Sequence, residues 1–142
     1  MLGDHQADFP GFFVSSVAFD ATSTRLAVAK SGRSRFDSEL DKVTIWDWRN
    51  EKLVQTLDVV AITVASSPAT KTWITTTFNG SNLDVWDAES GDHLTEMAGH
   101  TGIVYALAVN ADGSRIATGS DDGTVRIWDP RSGVQLQKLT VG

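Results

Sequence analysis

The sequence contains no cysteine, which excludes both a disulfide framework and a Cys-ligated zinc site. Other chemistry-bearing residues are also scarce. Histidine occurs three times, as His5, His93 and His100, and none stands in an HExxH pattern. There is no Gly-x-Ser-x-Gly elbow, no P-loop and no dinucleotide-binding glycine fingerprint. Asp121-Asp122-Gly123 opens like a calcium loop, but the further oxygen ligands and distal Glu of an EF-hand are missing. A hairpin turn accounts for it. The expectation is a protein that is not an enzyme, with no cofactor and no bound metal.

Positive charge is short as well. Twelve Lys+Arg stand against 18 Asp+Glu, a net charge of −6. A nucleic-acid-binding surface would need a basic stripe, so nucleic acid is not an expected partner. No basic-then-apolar segment opens the chain as a signal peptide would, and no apolar run approaches bilayer length. An intracellular protein, cytoplasmic or nuclear and without a membrane partner, is expected. In that setting Asn79-Gly80-Ser81 reads as an Asn-Gly turn rather than a glycosylation sequon. A compact chain of this length buries roughly 70% of its unfolded surface, which suits one domain.

What the sequence does contain is β-type runs cut by turns. Gly99 to Thr140 holds IVYALAVN, RIATGS, VRIWD and VQLQKLT, divided by ADGS, DDGT and PRSG. Asp-Gly between apolar runs is a hairpin signal, because glycine reaches φ > 0 without a Cβ clash. Four short strands tied by tight turns predict one antiparallel up-and-down sheet.

Two earlier stretches repeat that order. VSSVAFD, RLAVAK, VTIWDW and KLVQTL run from Val14 to Leu57, with the second and third separated by a long loop, residues 31–41. VVAITVAS, TWITTTF, LDVWD and DHLTEM run from Val59 to Met97, with almost no connection expected between Leu57 and the first of them. Trp46, Trp86 and Trp128 close the third run of each unit, 40 and 42 residues apart.

Gly99-His100, a span, then Trp128-Asp129 resembles a WD40 repeat, one blade of a β-propeller, and the spacing fits repeats of about 40–45 residues. The resemblance implies an all-β chain of three blades with four antiparallel strands each (a to d in chain order). The units are residues 12–57, 58–98 and 99–142, after an N-terminal extension, residues 1–11. It also implies a buried hydrogen-bond chain through His100, Thr118, Asp122 and Trp128. His100 is therefore expected to be a core histidine, not a catalytic or metal-binding one. The middle unit keeps Thr75 and Trp86, while the first has Val28 where the third has Thr118. No such chain is expected in the first blade, which is left to apolar packing.

WD40 propellers are mostly rigid protein-interaction platforms, so the resemblance implies a non-catalytic scaffold for other proteins or peptides. Candidate contacts are Arg33, Arg35 and Phe36 in the long loop, since Arg and aromatic residues anchor interfaces. Arg49 and Arg131 are further candidates. Each follows a Trp-Asp-x pattern similar to the one by which some WD40 proteins serve as substrate receptors of cullin–RING ubiquitin ligases. Against that, Arg is ordinary in an exposed turn. Propellers generally close with about 4–8 blades. Three blades leave two faces uncovered, and Leu139-Thr140-Val141-Gly142 resembles the lead-in to another repeat. The missing blades are expected from the rest of a longer chain or from self-association. The remaining alternative is a truncated remnant with no independent function.

Overall fold

The computed structural model of the chain describes residues 12–32, 42–77 and 80–142. Within them the secondary structure is all β. The first sheet is β1 (Phe12–Phe19), β2 (Arg25–Gly32), β3 (Val43–Asp47) and β4 (Lys52–Leu57). The second is β5 (Thr63–Ser67), β6 (Thr72–Thr76), β7 (Leu83–Asp87) and β8 (His93–Met97). The third is β9 (Val104–Val109), β10 (Ile116–Ser120), β11 (Thr124–Trp128) and β12 (Gln135–Thr140). Each sheet is a four-stranded meander in chain order, and every neighbouring pair is antiparallel.

Carboxylates hold the turns. After β1, Asp20 Oδ1 accepts the N–H groups of Thr24 and Arg25 at 3.1 and 3.2 Å. After β7, Asp87 Oδ1 accepts those of Glu89 and Ser90 at 2.7 and 2.9 Å. Asp129 does the same for Arg131 at 2.9 Å, and Asp47 accepts from the Asn50 side chain at 2.8 Å. The Asp of every Trp-Asp pair is thus a turn acceptor. Four residues after it the backbone is left-handed: Gly91 has φ 79° and Gly133 φ 74°, while Glu51 takes the same place at φ 54°. Glycine holds that conformation at no steric cost, and a residue with a Cβ does not.

Side chains alternate across a strand, and the second sheet is packed on both sides. Ala27, Ala29, Val43, Ile45 and Leu57 of the first sheet are fully buried against Ala61, Val64, Trp73 and Trp86. On the other side of the second sheet, Ile74, Leu83, Val85 and Met97 pack against Ile116 and Trp128 of the third. Trp86 faces the preceding sheet, and so does Trp128. All five residues of β6, the second strand of the middle sheet, are buried.

Strand ends fall within two residues of the sequence-based expectation, with one exception. The first strand of the middle unit was expected from Val59, but β5 starts at Thr63. Residues 58–62 form a real connection. Val59 accepts from Val43 N–H at 3.0 Å, Ile62 donates to Thr76 at 2.8 Å, and Ala61 is in the core. The apolar run Val59-Val60-Ala61-Ile62 imitates a strand because the connection itself packs inward. Hydrogen bonding in the first sheet also differs from expectation. Val28 offers no hydroxyl, but the Trp46 indole N–H donates to Thr44 Oγ1 at 2.9 Å. A threonine one strand over does the work of the missing one.

Candidate interaction site

The structure brings His100, Thr118, Asp122 and Trp128 together between the second and third sheets. Thr118 lies in the middle of β10, Trp128 ends β11, Asp122 sits in the turn between them, and His100 precedes β9. The Trp128 indole N–H donates to Thr118 Oγ1 at 2.9 Å. Thr118 Oγ1 lies 2.7 Å from His100 Nε2, and His100 Nδ1 lies 2.9 Å from Asp122 Oδ2. A carboxylate can only accept, so Nδ1 carries the proton. In neutral imidazole Nε2 then accepts, and the Thr118 hydroxyl donates to it. Thr118 and His100 each have one donor and one acceptor role filled, while the Trp128 indole only donates and the Asp122 carboxylate only accepts. The His100 side chain is fully buried. Nothing in the geometry leaves it open to a ligand. Among the described residues no cluster of three or more His, Asp or Glu is placed to hold a metal.

Asp122 is the hub. Beyond His100 it accepts from Thr101 N–H at 3.0 Å, Thr124 N–H at 2.9 Å and the Thr124 hydroxyl at 2.6 Å. Burial pushes its carboxyl up, but the bonds from Thr124, Thr101 and His100 together outweigh that and hold it well below the usual carboxylate range. A lowered folded-state pKa has a definite sign. The stabilisation is fully present above the unfolded value of about 3.9 and is lost as pH falls below it. Melting temperature followed downward from neutral pH should therefore drop below that value, and drop less in Asp122→Asn, which has no carboxylate to protonate. Parallel curves for the two proteins would show that Asp122 carries no pH-linked stability.

The exposed chemistry is on the rim formed by the turns after the first and third strands of each sheet. There the Trp48 indole N–H donates to Ser23 O at 2.8 Å, tying the two turns of the first sheet together. Phe19 meets Trp48 edge-on with ring centroids 6.3 Å apart, and the Arg49 guanidinium lies 5.1 Å from the Trp48 centroid. Phe19 is 53% exposed and Trp48 40%. Sequence reading took Phe19 as an ordinary strand residue and missed Trp48. The available signal was Trp-Asp-Trp-Arg, where the other units have Trp-Asp-Ala-Glu and Trp-Asp-Pro-Arg. Arg131 sits differently from Arg49: its Nη2 donates to Ala69 O in the second sheet at 3.3 Å. The two candidate arginines are not brought together. Arg33, Arg35 and Phe36 lie outside the described residues.

Three stacked antiparallel meanders, with the tryptophans of the second and third turned to the preceding sheet, have the architecture of β-propeller blades. Residues 91–129 match the family model described as WD domain, G-beta repeat, so the chain carries a WD40 repeat. The chain is 41% identical over 61 residues to small ribosomal subunit protein RACK1y of Oryza sativa subsp. japonica, covering 43% of this chain and 18% of that protein. It is 32% identical over 105 residues to protein groucho of Drosophila melanogaster, covering 70% of this chain and 14% of groucho. It is 27% identical over 136 residues to APC/C activator protein CDC20 of Saccharomyces cerevisiae, covering 94% of this chain and 21% of CDC20. The chain thus spans only a small part of the length of these relatives.

Proposed function

We propose that this chain is a non-catalytic protein–protein interaction module of the WD40 type, acting inside the cell. Its partners are proteins or peptides rather than nucleic acid, in keeping with the net charge of −6. Its uncovered blade faces are completed by further blades, from a longer chain or from self-association. The supporting observation is the Phe19–Trp48–Arg49 cluster. Two half-exposed aromatic rings and a stacked guanidinium are the side chains that anchor interfaces most often. They are held rigid here by the Trp48–Ser23 bond, so little side-chain entropy is lost on binding. The buried network of the third blade serves stability in this reading.

The test is affinity capture from cell extract with wild-type chain and a Trp48→Ala, Arg49→Ala variant as baits, quantified for each bound protein. Anchors of this type are worth about 2 kcal/mol or more, so captured partners should fall roughly thirtyfold. Exposed substitutions cost little stability, so the melting temperature should change by only a few degrees. Undiminished capture would overturn the assignment of this cluster.

A further inference from the structure

The outward face of the third sheet repeats a face that this chain already covers elsewhere. In β2–β4, Ala27 pairs across from Ile45, Ile45 from Gln55 and Val43 from Leu57. In β10–β12, Ala117 pairs with Ile127, Ile127 with Gln137 and Val125 with Leu139. The residues at these matching places are identical: Ala, Ile, Gln, Val and Leu. Ala29 has a different counterpart, Gly119, which is smaller still, and Ser16 beside it corresponds to Ala106. The second sheet has Ile74, Val85, Thr95, Leu83 and Met97 there and shares none of them.

The fate of the first of these faces is known. Ala27, Ile45, Val43 and Leu57 lose all solvent contact beneath Val64, Trp73 and Trp86. Gln55 spans the boundary and donates to Glu89 O at 2.8 Å. Ile116, Thr118 and Trp128 point to the second sheet, so Ala117, Val125 and Ile127 point away from it, with Leu139 44% exposed.

The chain also carries an uncovered counterpart of the Trp86 face. Val64 pairs with Thr75 and Trp73 with Trp86 in the second sheet. In the first sheet Val17 pairs with Val28 and Leu26 with Trp46. Val17 and Trp46 therefore stand where Val64 and Trp86 stand. The Trp46 N–H is already satisfied by Thr44 at 2.9 Å, so covering the ring orphans no donor.

Resting on the interaction-module reading above, we infer that the partner of these two faces is a second copy of this chain, joined head to tail. The Val17–Trp46 face of one copy covers the Ala117–Val125–Ile127 face of the other, as the second sheet covers the first. Gln137 donates to the partner copy at Arg49, the counterpart of Glu89. Phe19 and Trp48 correspond to Ser66 and Ala88, which line a cleft of about 480 Å³ between the first two sheets. The equivalent cleft between copies opens on the same rim, with Phe19 and Trp48 at its edge and still open to other proteins. Head-to-tail contacts make rings when the rotation closes, and propellers hold about 4–8 blades. Two copies of three blades meet that range and three copies exceed it.

Sedimentation velocity on the full chain tests this. Wild type should run as a dimer at micromolar concentration. Leu139→Glu and Val17→Glu each alter one exposed residue, on opposite faces, and each alone should run as a monomer with unchanged circular dichroism. Mixed together they should recover a heterodimer, because one undamaged pair of faces remains. A wild type that stays monomeric, or a dimer that neither substitution disturbs, would overturn the inference. The capture experiment with Trp48 and Arg49 substituted would still report separately on the interaction-module reading, through proteins other than this chain.

Discussion

Replacing Thr118 with valine is expected to destabilise the protein by about 2–5 kcal/mol, read from chemical denaturation. The two side chains have nearly the same shape, so packing is conserved. The loss is polar. Thr118 is 1% exposed and its hydroxyl serves both the Trp128 N–H and His100 Nε2. Valine leaves both without a partner where water does not reach. Each buried group so orphaned costs about 1–3 kcal/mol, and the Asp122 end of the series loses the anchor that fixes the imidazole. Thr75 gives an internal control. It is fully buried and accepts the Trp86 N–H at 2.9 Å, but no histidine follows it. Thr75→Val should therefore cost about 1–3 kcal/mol, the value for one orphaned group. Equal losses at the two sites would show that His100 and Asp122 add nothing.

The second large effect is expected at Trp86. Trp86→Ala should cost about 3–5 kcal/mol, lowering the melting temperature by on the order of 10–20 °C. The ring is 5% exposed, packs against Ala27, Ala29 and Ile45, and meets His93 edge-on at 4.9 Å. Its removal opens a cavity between two sheets and strands the Thr75 hydroxyl. Total stability of a domain is about 5–15 kcal/mol, so the variant should be marginal. Trp46→Ala is the comparison, made in the monomeric Val17→Glu background, since Trp46 has the same place in its sheet but no sheet of its own chain over it. It should cost much less. A Trp86 variant no weaker than the Trp46 one would mean that the sheets do not support one another.

Much of this was legible in the sequence, for physical reasons. Alternating apolar residues and Asp-Gly turns specify strands through local rules alone, and β7 came out with the expected ends, Leu83 and Asp87. His100, Thr118, Asp122 and Trp128 could be singled out because few residue types pass a hydrogen bond on inside a core. The start of β5 could not be read, since a buried connection and a buried strand have the same composition. Thr44 went unnoticed because a hydroxyl two residues before a tryptophan looks like any strand threonine until the indole is seen turned toward it. The rim cluster depends on Phe19, which ends β1, and Trp48, which follows β3. Only the pairing of both strands with β2 brings the rings within reach of each other.

The burial of β6 and the exposure of β12 set an order of opening. All five residues of β6 are buried, whereas all six of β12 are exposed and paired on one side only, to β11. Lifting β12 away uncovers little that water does not already touch. Lifting β6 requires both its hydrogen-bonded neighbours and the two adjoining cores to part. Local opening is thus cheap at the last strand and approaches the cost of global unfolding at the centre. A molecule built this way spends part of its time with the outer strand detached. Its backbone amides exchange with solvent early there and last in β6, and a protease meets the loosened edge long before it meets the middle.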